Sequence, residues 1–133
     1  MIVRYAETDQ MGIVHHSVYP IWFEAARTDF MKQAGISYQG MEKSGLLMPL
    51  TEMYCHFKAP TRYVDEIIVE TTIEKMTYAR IVFAYKAYRK ADHQLLAEDG
   101  TTHACTDRSL KPINMAKSFP ELYMALTGLK DTK

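Results

Sequence analysis

One stretch constrains this chain more than any other. Between Tyr19 and Ala34, the residues Tyr19, Trp22, Phe23, Ala26, Phe30 and Ala34 recur at the three-to-four-residue spacing of a helix. Ile21, Ala25 and Met31 add apolar surface beyond a single stripe. A helix that is apolar over so much of its circumference is expected to be buried within its domain. Ser17 stands where an N-cap belongs, and Pro20 suits a first turn, where its missing N–H has no partner to lose. Gly35 suits the reversal after the last turn.

Almost everything else reads as strand. Ile2–Ala6 is expected as a short strand, followed by the polar run Glu7–Gln10 and a turn at Gly12. A short helix is expected over Tyr38–Lys43. Leu50–Phe57 places Thr51, Met53, Cys55 and Phe57 on one side and Glu52, Tyr54 and His56 on the other. Glu66–Met76 alternates between Ile67, Val69, Thr71, Ile73 and Glu66, Glu70, Thr72, Glu74. Tyr78–Lys90 and Gln94–Thr106 follow, joined by a hairpin tip at Ala91–His93, with Gly100 a candidate bulge. Pro120–Leu126 suits a short terminal helix. Short connections imply antiparallel neighbours, and one such sheet curled about one apolar helix buries both apolar faces. The expected class is therefore α+β, in a single domain over residues 1–133. Open sheet edges need a partner strand or a cover, which favours a dimer.

Composition removes several functions. Sixteen Lys plus Arg balance sixteen Asp plus Glu, so no cationic surplus is present for nucleic acid. No apolar run is long enough to span a bilayer, and the first residues lack the apolar core of a secretory signal. A cytoplasmic location is expected, with Cys55 and Cys105 as free thiols in the core rather than as nucleophiles. No Gly-rich phosphate loop and no nucleophile elbow around a serine is present.

What remains for chemistry is sparse. Asp9 lies between the first strand and the apolar helix, before His15, His16 and Ser17. The start of a helix offers unpaired N–H groups that can hold an oxyanion, and a nearby carboxylate could act on a carbonyl carbon held there. By itself the residue pattern favours a loop-capping role for Asp9 over a catalytic one. His103 and Cys105 share one face of a strand, but no third ligand motif accompanies them, so neither metal nor cofactor is expected. Glu24 and Arg27 sit one helical turn apart and suit an internal ion pair or a dimer contact.

The segment Val3–Tyr19, with Asp9, Gly12, Val14 and His16 in the pattern Asp-x-x-Gly-x-Val-x-His, resembles the signature of the 4-hydroxybenzoyl-CoA thioesterase family, in its YbgC/FadM-like branch. Trp22–Arg27, Lys58–Pro60 with Tyr63–Asp65, and Lys111-Pro112 continue the likeness over nearly the whole chain. Two departures flank the pocket: His15 stands where an aromatic residue is common, and Pro20 where Leu is usual.

The resemblance implies a hotdog fold, a five-stranded antiparallel sheet around a long central helix, assembled as a homodimer or homotetramer with sites at subunit interfaces. It implies an acyl-CoA thioesterase acting on a small or medium acyl group, with Asp9 as catalytic base or nucleophile. His16 matches the family's active-site histidine, and the backbone at His16 and Ser17 matches its oxyanion donors. A cationic contact to the nucleotide of coenzyme A would fall to Arg89 and Lys90, with Lys58 and Arg62 as further candidates. Acyl carrier protein thioesters are an alternative substrate, and a non-catalytic acyl-thioester-binding module is an alternative role. A dehydratase is a third option, disfavoured because Asp9 precedes the helix rather than lying on it.

Overall fold

The structure, a computed structural model, describes residues 1–131, leaving aside the side chains of Tyr38 and Asp131. The last two residues of the span expected as one domain lie outside the described residues. The apolar-period stretch is a helix, α1, over Val18–Lys32, with Pro20 in its first turn. Gly35 takes φ +76°, and the Ile36 N–H returns to the Met31 carbonyl at 3.1 Å, closing the helix end. Ser17 occupies the N-cap position without capping, because its Oγ lies 2.7 Å from His15 Nδ1 instead. Nor is α1 buried all round. Val18, Tyr19, Trp22, Phe23 and Met31 are inside, whereas Ile21 is 63% exposed beside exposed Glu24 and Ala25. Helix α2, Tyr38–Lys43, is capped by the Ser37 hydroxyl, which accepts from the Gly40 N–H at 3.0 Å.

Four strands form one antiparallel sheet: β1 Leu50–Phe57, β2 Ile67–Met76, β3 Arg80–Arg89 and β4 Leu95–Ala104, in the order β1-β4-β3-β2. The expected fifth strand is absent as such. Ile2 makes a single bridge to Glu66, and the chain then turns away as a 3₁₀ turn over Tyr5–Glu7. The cause is Glu7, whose carboxylate folds back onto the Arg4 N–H at 2.8 Å and curls the segment out of register. Consecutive strands are neighbours for β2–β3 and β3–β4, but β1 and β2 lie at opposite edges. The connection 58–66 therefore crosses the sheet end instead of forming a hairpin. Gly100 is no bulge either. It pairs regularly with Tyr54 and Ala84, and it is glycine because the Tyr54 ring lies over it, 2.3 Å from where a Cβ would stand.

The sheet's inner face packs on α1. Phe23 stacks on Tyr85 with ring centroids 5.0 Å apart, and Ile81, Phe83 and Ala87 are buried beside them. The outer face carries Glu52, Glu70, Glu74, Lys86 and Glu98, as suits an antiparallel sheet wetted on one side. Two C-terminal helices, α3 (Met115–Ser118) and α4 (Pro120–Asp131), bring the fully buried Met115 and Leu126 to the core. The first was not expected, and the second runs beyond the expected Leu126.

Two polar anchors hold the loops against this core. Glu7 is buried, accepting the Trp22 indole N–H on Oε2 at 2.9 Å and the Arg4 N–H on Oε1. Burial pushes its carboxyl pKa up, but these donors outweigh that and hold it below the ordinary value. Arg89 pins the crossing segment. Its Nη2 donates to the Pro60 carbonyl at 2.8 Å, its Nη1 to Asp92 at 3.0 Å, and its Nε reaches Asp65 at 3.4 Å.

Both anchors are testable. Glu7→Gln is expected to destabilise the fold by about 1–3 kcal/mol at pH 7. Because the folded-state pKa is depressed, the difference from wild type shrinks as the pH falls through that value, as urea unfolding at neutral and acid pH will measure. Arg89→Gln is expected to lower the melting temperature by a few degrees even in the absence of any coenzyme A, which calorimetry of the free protein will report.

Candidate active site

Asp9 sits in a miniature hairpin. Thr8 pairs with Val14, the Asp9 N–H donates to the Ile13 carbonyl at 2.8 Å, and the Gly12 N–H donates to the Asp9 carbonyl at 3.0 Å. Gly12 closes the turn at φ +76°, a conformation that costs a residue with a Cβ. The hairpin is docked at its base. The Val14 N–H donates to the Thr61 carbonyl at 2.7 Å, and the His15 N–H to the Glu7 carbonyl at 2.9 Å. Thr61 in turn is held by α1, its hydroxyl 2.7 Å from the Tyr19 hydroxyl. The buried ion of Glu7 and the crossing segment thus position the Asp9 turn from both sides.

The Asp9 carboxylate is half-buried, and Oδ1 accepts the Met11 N–H at 2.8 Å. Among the described residues Oδ2 meets no protein donor. His16 and Ser17 are exposed at the entrance to α1. The Ser17 N–H reaches His15 Nδ1 at 3.2 Å, and the His16 N–H meets no acceptor among the described residues. The two imidazoles of His15 and His16 lie with centroids 4.2 Å apart. The structure therefore brings one carboxylate and the helix-start amides onto one connected, well-anchored segment.

None of Asp9, His16 and Ser17 lines the three best-formed cavities among the described residues. One cavity, of about 1040 Å³, lies between α1, β2 and α4 and is lined by Ala26, Phe30, Val69, Ile73 and Leu129 among others. Arg89 and Lys90 do not approach the Asp9 turn through any recorded contact. Arg89 is committed to Pro60, Asp65 and Asp92, and Lys90 lies 3.3 Å from Glu66 with its side chain 59% exposed. Lys58 and Arg62 are exposed.

Other candidate residues have structural surroundings. His103 is buried, with Nδ1 3.1 Å from the Met48 carbonyl and Nε2 3.1 Å from the Thr101 hydroxyl, and burial lowers its pKa. Cys105 is buried, and burial pushes its thiol up to about 11. Cys55 is half-buried and pushed up to about 12, so neither sulfur is a thiolate at neutral pH. Arg27 turns inward to donate to the Tyr85 hydroxyl at 2.9 Å, while Glu24 stays exposed.

One residue stood out only in the fold. Asp99 is 1% exposed, and burial pushes its carboxyl up to about 6. The signal was present in the sequence as a charge in the inward register of β4, two residues from Ala97 and from Thr101.

Residues 3–124 match the family model described as the thioesterase-like superfamily. The chain is 40% identical to YneP of Bacillus subtilis over 129 residues, covering 96% of this chain and 93% of that protein. It is 29% identical to the acyl-CoA thioester hydrolase YbgC of Escherichia coli over 117 residues, covering 87% of each. It also superposes on the structure of a DHNA-CoA thioesterase from Staphylococcus aureus with a TM-score of 0.91 and 33% identity, over 98% of this chain and 87% of that one. No helix among the described residues is long and apolar enough to cross a membrane. With its buried helix, antiparallel sheet and Asp9 turn, this chain belongs to the thioesterase-like superfamily.

Proposed function

We propose that the chain is an acyl-CoA thioesterase whose single domain cleaves small or medium acyl thioesters at the Asp9 turn. The observation that carries the reading is the pairing of a carboxylate having one uncommitted oxygen with the uncommitted His16 N–H, in a chain of this superfamily. The names of YbgC and of the Staphylococcus aureus structure support coenzyme A as the thiol carrier.

A thioester suits so lean a site. Its leaving group is a thiol with a pKa of about 8.5, so it departs as thiolate with little help from an acid. In this reading the thioester oxygen points at the His16 N–H, and the Ser17 N–H becomes a second donor on exchanging His15 Nδ1 for that oxygen. Asp9 takes a proton from water, whose oxygen adds to the carbonyl carbon, or attacks that carbon itself to give an anhydride that water then opens. The negative charge on oxygen is held by the helix-start amides. The C–S bond breaks as the carbonyl re-forms, releasing free acid and coenzyme A thiolate, which is then protonated. The His16 imidazole orients the thioester or the water. Lys90, Lys58 and Arg62 are exposed cations within the candidate set for a nucleotide phosphate, and Arg89 contributes by holding the 58–66 crossing in place.

The reading requires a second copy of the chain. The Asp9 turn is open on one side, and β1 is an edge strand with Leu50, Met53, Tyr54 and Phe57 41–51% exposed. An edge so apolar is a surface for self-association. Light scattering is therefore expected to give the mass of at least two chains. Asp9→Asn is expected to lower kcat by about 100-fold or more while keeping the melting temperature, since the Asn oxygen still accepts the Met11 N–H. A free-thiol assay on an acyl-CoA panel checks this, and full activity in Asp9→Asn would remove the residue from the mechanism.

A further inference from the structure

The start of α1 is fastened by a ring rather than by a hydroxyl. His15 Nδ1 takes the Ser17 N–H at 3.2 Å, two residues on, and the His15 carbonyl takes the Val18 N–H at 3.0 Å. An Asn or Asp side chain makes the same pattern when it closes a turn onto its own backbone, and here an imidazole makes it. The same Nδ1 lies 2.7 Å from the Ser17 hydroxyl. The ring is tilted by 31° to that of His16, with centroids 4.2 Å apart, and both residues are exposed.

A backbone N–H donates to Nδ1 only while that nitrogen keeps its lone pair. The contact with the Ser17 N–H therefore belongs to the neutral ring, with its proton on Nε2 and the Ser17 hydroxyl donating to Nδ1. A protonated ring carries N–H at both nitrogens and can only donate. Its Nδ1–H then gives to the Ser17 hydroxyl oxygen, 2.7 Å away, and the Ser17 N–H loses its acceptor. The preceding amide, the His16 N–H, already meets no acceptor among the described residues. One proton on His15 thus changes the helix start from one free amide to two consecutive ones.

We propose that His15 is a positioning residue of the thioesterase site, its ring holding the Ser17 amide when neutral and yielding it to the thioester oxygen when protonated. The proposal rests on the thioesterase reading above and adds a regulation to it. Histidine changes charge between about pH 5 and 8, so the second oxyanion donor comes free as the pH falls through that window. The titratable and charged groups on the elements around the ring are His16 beside it, Glu7 on the N-terminal segment, Asp9 on the hairpin and Arg62 on the crossing segment. Glu7 is turned to Arg4 and Trp22, and Asp9 to Met11. Among the described residues only His16 and Ser17 stack on the ring or bond to it.

Two variants separate the two states. His15→Phe keeps an aromatic ring beside His16 but has no nitrogen, so the Ser17 amide is free at every pH. His15→Asn puts an amide oxygen in the place of Nδ1, so the Ser17 amide is held at every pH. Thiol release from one acyl-CoA gives kcat/KM across the histidine window. His15→Phe is expected to exceed wild type by about 3- to 10-fold near pH 8.5 and to match it near pH 5.5. His15→Asn is expected to match wild type near pH 8.5 and to fall about 3- to 10-fold below it near pH 5.5. Either variant alone decides the question should the other fail to fold. A ratio to wild type that is flat across the range is the mark of a purely structural role and overturns the proposal. Amide NMR of the free protein reads the switch without turnover. The wild-type Ser17 amide resonance is expected to move with the titration of the His15 ring, followed separately from that of His16, and to lose that movement in both variants. A Ser17 amide that ignores His15, or that follows His16 in all three chains, overturns the proposal. A chain whose Ser17 amide follows His15, yet which releases no thiol at any pH, defeats the thioesterase reading and leaves the His15 switch standing.

Discussion

The buried carboxylate of Glu7 is the contact on which the proposed site depends. Its two oxygens hold the Trp22 indole on α1 and the Arg4 amide on the N-terminal segment, while its own carbonyl receives the His15 N–H. One residue therefore ties the incoming chain, the central helix and the outgoing arm of the Asp9 hairpin. Such an arrangement turns a short, polar and half-exposed loop into a positioned one. The hairpin itself buries little: Gln10, Met11 and Gly12 are all exposed. Its placement comes from hydrogen bonds at its base, to Thr61 and Glu7, and from the burial of those anchors rather than of the turn. Precision at a catalytic carboxylate is bought by support of this kind, from neighbours that are themselves locked.

Much of the architecture was legible because it obeys periodicity. The helical spacing of Tyr19, Trp22, Phe23 and Ala26 and the alternation along Leu50–Phe57 belong to single elements, and the structure realises both within two residues or closer. What was not legible depends on contacts between distant parts. Ile2–Ala6 has the composition of a strand, but a carboxylate three residues from Arg4 competes with the sheet for its amide and wins. The segment 58–66 has the Pro and Asp of a turn, yet it crosses between opposite edges because β4 takes the place beside β1. Nothing local to Leu50–Phe57 says which strand it pairs with. Register with β4 is a property of both chains together, down to the Tyr54 ring resting on Gly100.

The same distinction applies to the site. Asp9, His16 and Ser17 were picked out by their neighbours in sequence, and they are in fact neighbours on one segment. Arg89 drew attention as a cation near a hairpin tip, but its role depends on Pro60 and Asp65, nearly thirty residues away in the first case, and only the fold brings them to it. Ser17 was read as a cap from its type and place. Its hydroxyl instead meets the adjacent His15 ring, whose Nδ1 also takes the Ser17 N–H, while the His16 N–H meets no acceptor among the described residues.

Among the described residues, the His16 N–H at the helix start meets no acceptor and Asp99 Oδ2 on β4 meets no donor. Each imperfection is unfavourable for the free chain. A well-folded core tolerates few such groups.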